Sequence, residues 1–199
     1  MLKKIPVFLF ISLLLNVSES IADYPETDKD FSLLPPFCKA KLKPSSPAET
    51  NLWSTRLNVH GIGFGHVHHY CAALHSIRLA QKILPASEND RQEKRGLLNS
   101  ALGEINYMEE HADPQFVLFP NLYASKAEAL FALDQPGEAA AYLTKAIGKN
   151  KKFTKAYWML ADYYIKTGNK KSANNILQEG LKYSPKSKIL QKRLNAVSN

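Results

Sequence analysis

Residues 154 to 185 read TKAYWMLADYYIKTGNKKSANNILQEGLKYSP. Displaced by 34 residues, the stretch falls on the chain just before it without a gap, pairing Tyr157 with Tyr123, Ala161 with Ala127, Tyr164 with Leu130, Ala173 with Ala139, Leu177 with Leu143, Gly180 with Ala146 and Leu181 with Ile147. Small side chains meet small ones and large meet large. A self-match at this period, with a turn between two helical patterns, is the mark of a helix-turn-helix solenoid. The fold class expected is therefore all-α.

Helices are predicted over about 121–133, 137–148, 154–167 and 170–183, with turns at 134–136, 150–153 and 168–169. Two helices joined by so short a turn bury their faces only by close approach, which Ala127 with Ala139 and Ala161 with Ala173 permit. A bulky residue at Ala161 should cost ~1–3 kcal/mol by overpacking. After Pro185, Leu190, Leu194 and Val197 form one apolar stripe on an otherwise polar helix, read as a capping helix over 187–197 that covers the end of the stack.

The repeat resembles the tetratricopeptide repeat. Tyr157, Leu160-Ala161, Tyr164, Gly168, Ala173, Leu177, Leu181 and Pro185 follow that family's pattern, while residues 120–153 match less fully, with Lys126 for the usual Leu, Asp134 for the usual turn Gly and Lys151 for the usual closing Pro. The resemblance implies a right-handed α-solenoid whose first helices line a concave groove that binds a peptide or helix of another protein. Carried over position by position, that groove would present Asn121, Ala124, Glu128 and Phe131 from one repeat and Lys155, Trp158, Asp162 and Ile165 from the next. Phe131, Trp158 and Ile165 supply apolar anchors and the charged residues orientation, a mixture typical of binding hot spots. Coverage of these aromatics by the N-terminal arm is the competing reading.

Upstream, residues 63–113 have the length of a repeat without its pattern. Val67, Tyr70, Leu74 and Ile77 give one helical face over about 66–84, and Leu98, Ala101, Ile105 and Met108 give a second after the Ser87 N-cap with Asp90 three further on. This is expected to be a degenerate first hairpin. The glycines 61, 63 and 65 of GIGFGH read as a turn before a helix; no strand precedes them and their spacing is not that of a dinucleotide fingerprint. Residues 23–62 carry Pro25, Pro35, Pro36, Pro44 and Pro47 and are expected to form an extended arm, with a short helix over about 47–56. Its apolar residues Phe31, Leu33, Leu34, Phe37, Trp53 and Leu57 call for contact with the helical body.

The first residues read as an export signal over 1–22: Lys3 and Lys4, an apolar run from 5 to 15, and Ser20-Ile21-Ala22 before the cut. The run is shorter than the ~20 residues needed to span a bilayer. The product is expected to be soluble and periplasmic or secreted, with an uncleaved anchor as the rival reading. In such a compartment the two cysteines, Cys38 and Cys71, are expected to pair.

Net charge is +8, unevenly placed. From residue 144 onward, 13 Lys and Arg stand against Asp162 and Glu179 alone, whereas 23–143 is net acidic. A solvated lysine-rich face is the plain reading; an acidic or envelope-associated protein partner is the functional one. Export argues against nucleic acid. His66, His68, His69 and His75 crowd around Cys71, and His68, Cys71 and His75 share a helical face, so a metal-binding protein is an alternative. A structural subunit of an envelope complex is another. No paired motif completes a zinc site, no haem attachment motif is present, and no nucleophile motif or phosphate loop points to catalysis, so no metal, cofactor or catalytic residue is assigned.

Overall fold

The computed structural model describes residues 24–57 and 63–198. The expected signal over 1–22, with its cut, and Gly61 lie outside them. Among the described residues the chain is built from helices alone: α1 (Asp28–Ser32), α2 (Pro36–Leu42), α3 (Pro47–Leu57), α4 (Gly63–Lys82), α5 (Glu88–His111), α6 (Phe119–Ala132), α7 (Pro136–Lys149), α8 (Thr154–Lys166), α9 (Lys170–Tyr183) and α10 (Lys188–Ser198). None of these is long and apolar enough to cross a membrane.

The helices stack as a solenoid. The pairs α4/α5, α6/α7 and α8/α9 are hairpins; α4, α6, α8 and α10 each touch the next in that order; and α5, α7 and α9 each pack on the first helix of the following unit. α10 lies 34 residues beyond α8 and packs on α8 and α9, the place of a further first helix. Ala127, Ala139, Ala161 and Ala173 are all fully buried, as close helix approach requires. One apolar cluster runs from α2 to α8, and a second, made of Tyr157, Ala161, Ala173, Leu177 and Leu190, joins α8 and α9 to α10.

Most of the expected extended arm is helical. Thr27 and Asp30 form a capping box that starts α1, with the Asp30 carboxylate accepting the Thr27 amide at 3.0 Å and Thr27 Oγ1 accepting the Asp30 amide at 3.2 Å. Pro36 sits in the first turn of α2, where a missing N–H costs nothing. The prolines thus start short helices instead of preventing them. Phe31, Leu34, Phe37, Cys38 and Leu57 are buried and Trp53 is half-buried, but Leu33, expected to join them, remains 46% exposed. α4 begins at Gly63, so Gly63 and Gly65 lie within the helix, and it ends two residues short of Leu84, which is 82% exposed. The Ser87–Asp90 capping box forms as its residues predict.

Candidate interaction groove

The turns inside the two hairpins, α6 to α7 and α8 to α9, share one backbone feature. Gly168, after α8, takes φ +76°, and Asp134, 34 residues earlier after α6, takes φ +60°. Both turns need the left-handed region. Glycine enters it freely, and aspartate is one of the few other residues that does.

Between α6, the Asp134 turn and α8 lies a cleft of about 400 Å³, lined by Phe131, Asp134, Pro136, Trp158, Met159, Asp162, Tyr163, Lys166 and Thr167. Its lining is largely aromatic: the Phe131 and Tyr163 rings lie 5.8 Å apart, and Trp158 joins them. Of the residues expected in the groove, Phe131, Trp158 and Asp162 meet here. Ile165, one turn from Asp162 on α8, is 40% exposed and outside the lining. Tyr163 and Met159 were not anticipated.

Asn121, Glu128 and Lys155 line a separate cleft of about 210 Å³, closed on one side by Leu33, Leu34 and Pro35 between α1 and α2, and on another by α4 through Tyr70, Leu74 and Ile77. The arm therefore covers the α4 end of the groove and leaves the Phe131–Trp158 end open. Ala124 is fully buried in the main cluster and offers nothing to a partner.

The charged residues expected to orient a partner are already paired within the chain. Lys155 Nζ lies 2.6 Å from Glu128 Oε1. Arg193 of α10 donates from Nε and an Nη to the two oxygens of Asp162 at 2.9 and 3.0 Å, and its guanidinium lies 4.6 Å over the Trp158 ring. A planar guanidinium makes a two-pronged bond to a carboxylate and stacks on an aromatic face, which a lysine cannot reproduce. Arg193 is the one arginine among the 13 basic residues from 144 onward. That exception in a run of lysines is the signal that could have exposed its role.

Cys38 of α2 and Cys71 of α4 are joined in a disulfide, with Cα atoms 5.5 Å apart, so Cys71 has no thiolate for a metal. The other two members of the suspected metal face look elsewhere: His68 Nδ1 lies 3.2 Å from the Gly65 carbonyl oxygen, and His75 Nε2 lies 3.5 Å from an Asp30 oxygen. Among the described residues no three His, Cys, Asp or Glu side chains are placed to hold an ion. Three of the histidines lie in a chain of ring contacts with Tyr107 instead. His68 and His69 ring centres lie 4.2 Å apart, His69 and Tyr107 3.9 Å, and Tyr107 and His111 4.0 Å, with His69 Nδ1 2.6 Å from Glu104 Oε2. Burial, then the neighbouring His69 and Lys41, push the His68 imidazole below the usual histidine range.

The sequence model of the tetratricopeptide repeat family matches residues 130–196, from within α6 to near the end of α10. Comparison with curated proteins and with solved structures gave no match. Tetratricopeptide repeats are protein-interaction modules, and the matched residues include every side chain lining the Phe131–Trp158 cleft. The stacked hairpins of α6 to α10, with positive-φ turns 34 residues apart, agree with that match: residues 130–196 are similar to the tetratricopeptide repeat.

Proposed function

We propose that the protein is an exported adaptor that docks a segment of another protein in the groove along α6, α8 and α10. The observation that carries this reading is the open cleft at Phe131, Trp158, Met159 and Tyr163, an aromatic hollow rimmed by Asp134 and Lys166. Burying one Leu or Phe side chain of a partner there is worth ~1.5–3 kcal/mol, enough to fix a register though not to bind alone. The paired charges at Glu128–Lys155 and Asp162–Arg193 hold the walls in place before a partner arrives, which lowers the ordering cost of binding. The Cys38–Cys71 bond supports export, since disulfides persist in oxidising compartments, and the lysine-led apolar start of the chain supports it from the sequence side.

The test is an affinity measurement on the partner recovered with the protein from the cell envelope and then purified. Phe131→Ala and the exposed Ile165→Ser should each weaken that complex, Phe131→Ala by about tenfold or more on the burial scale above. The Ile165→Ser melting temperature should stay at the wild-type value. Unchanged affinity in both variants contradicts docking at this cleft.

A further inference from the structure

The charge inventory of the groove is lopsided once internal pairs are set aside. From residue 144 onward Lys145 pairs with Glu109, Lys155 with Glu128 and Arg193 with Asp162, while Lys149 donates to the Pro114 carbonyl. The remaining lysines of this region have no carboxylate within ion-pair distance among the described residues. Two of them flank the groove. Lys166 is exposed and lines the aromatic cleft. Lys192 is exposed on α10, at the position that the 34-residue shift places in register with Trp158. The same shift puts Ile189, 39% exposed, in register with Lys155. The groove thus runs on from the aromatic cleft across α10 as a basic, partly apolar strip, whereas its other end is closed by Leu33, Leu34 and Pro35.

From this asymmetry we infer that the groove's occupant is an acidic protein segment: one apolar side chain seated between Phe131 and Trp158, with carboxylates a few residues away over Lys166 and Lys192. This rests on the groove being the binding surface and adds the partner's chemistry and direction. Neighbouring helix axes lie ~8–10 Å apart, so the path from the α6–α8 cleft to α10 is one to two such steps. An extended chain covers it in ~3–6 residues at ~3.3 Å each. Of the three groove carboxylates that would repel such a segment, Glu128 and Asp162 are already neutralised by Lys155 and Arg193, which leaves Asp134 at the cleft rim, where Lys166 also stands. Partly exposed charge pairs mainly set encounter rate and selectivity, so the interaction should be salt-sensitive.

A library of random displayed 12-residue peptides, selected at 50 mM NaCl on the protein purified from an exporting host, tests this. The expected outcome is enrichment of peptides carrying an apolar residue and at least three net negative charges, with binding weakened tenfold or more by Lys166→Glu with Lys192→Glu, by Phe131→Ala, and by 300 mM NaCl. Both lysines are exposed, so the charge-reversed protein should keep the wild-type melting temperature. Neutral or basic peptides that depend on Phe131 but not on the lysines would overturn the acidic partner and leave the groove standing. Acidic peptides indifferent to Phe131→Ala and Ile165→Ser would overturn the groove. No enrichment, together with lysine-dependent binding to phosphatidylglycerol vesicles, would replace the acidic segment by an anionic lipid surface; no enrichment and no vesicle binding would overturn both readings.

Discussion

The two repeats, 120–153 and 154–185, are the same device built from different parts. At the first turn one has Asp134 and the other Gly168, both at positive φ. In the first helix, Lys126 occupies the position of Leu160: the lysine is 6% exposed and bonded to Glu109 at 2.8 Å, with its ammonium 4.0 Å over the Tyr142 ring. Burial would lower the Lys126 pKa, but the hydrogen bonds and charges of Glu109 and Tyr142 together raise it, so the lysine stays charged. In the second helix Ala146 corresponds to Gly180. A methyl group on Gly180 would stand 2.8 Å from Tyr157 Cγ and 2.9 Å from Leu190 Cδ1, so glycine there admits the tyrosine ring and the α10 leucine. The first repeat uses polar pairing to join its neighbour on the N-terminal side; the second uses tight apolar packing to seat α10. The difference follows from what each repeat must bind within the chain.

The largest effect that would break this contrast is at Lys126. Lys126→Ala should cost about 3 kcal/mol in urea unfolding, because it strands Glu109 beside the more distant Lys145, whereas Lys126→Leu, the residue of the second repeat, should cost less than about 1 kcal/mol or stabilise. Equal losses from both variants would show that the ion pair itself carries the stability. At Gly180, alanine should lose about 1–2 kcal/mol, since overpacking against Tyr157 and Leu190 outweighs a helix-propensity gain of ~1 kcal/mol. The mirror change Ala146→Gly should also lose about 1 kcal/mol. A stabilised Gly180→Ala would refute the tight packing at α10. At the turns, Gly168→Ala should destabilise by about 1 kcal/mol and Asp134→Gly should stabilise by about 0.5–1 kcal/mol, opposite signs at equivalent sites, read as shifts in thermal midpoint. The smallest effect sharpens the contrast between the paired tyrosines. The buried Tyr157 hydroxyl has no hydrogen-bond partner among the described residues, while Tyr123 is 7% exposed. Tyr157→Phe should therefore gain up to about 1 kcal/mol and Tyr123→Phe should be close to neutral. Burial, then Glu179, raise the Tyr157 phenol to about 12. Stability from that group is thus present below the ordinary tyrosine value near 10 and lost as pH rises towards 12. Tyr157→Phe should remove that loss from an alkaline titration of stability.

The repeat itself was legible because a solenoid writes its packing into one period: Ala127, Ala139, Ala161 and Ala173 had to be small wherever helices meet, and they are fully buried. The arm was not, because α1 has 5 residues and α2 has 7, too few to show a helical period, and their prolines lie where a helix begins. Phe131, Trp158 and Asp162 were placed in the cleft by register alone. That Asp162 would be held by Arg193 was hidden because its partner lies 31 residues away, on a helix whose stripe of Leu190, Leu194 and Val197 says only which face is buried. The histidine ring contacts depend on Tyr107 and His111 of α5, which no spacing within α4 could announce.

The central claim is that the face made by α6, α8 and α10 receives a partner. The most direct measurement is photo-crosslinking in exporting cells with p-benzoylphenylalanine placed at Ile165, and at the exposed Asn175 of α9 as the control on the opposite helix of the same repeat. A discrete protein adduct from position 165 and none from 175 is the predicted result. An adduct from 175 alone, or none from 165, would contradict it.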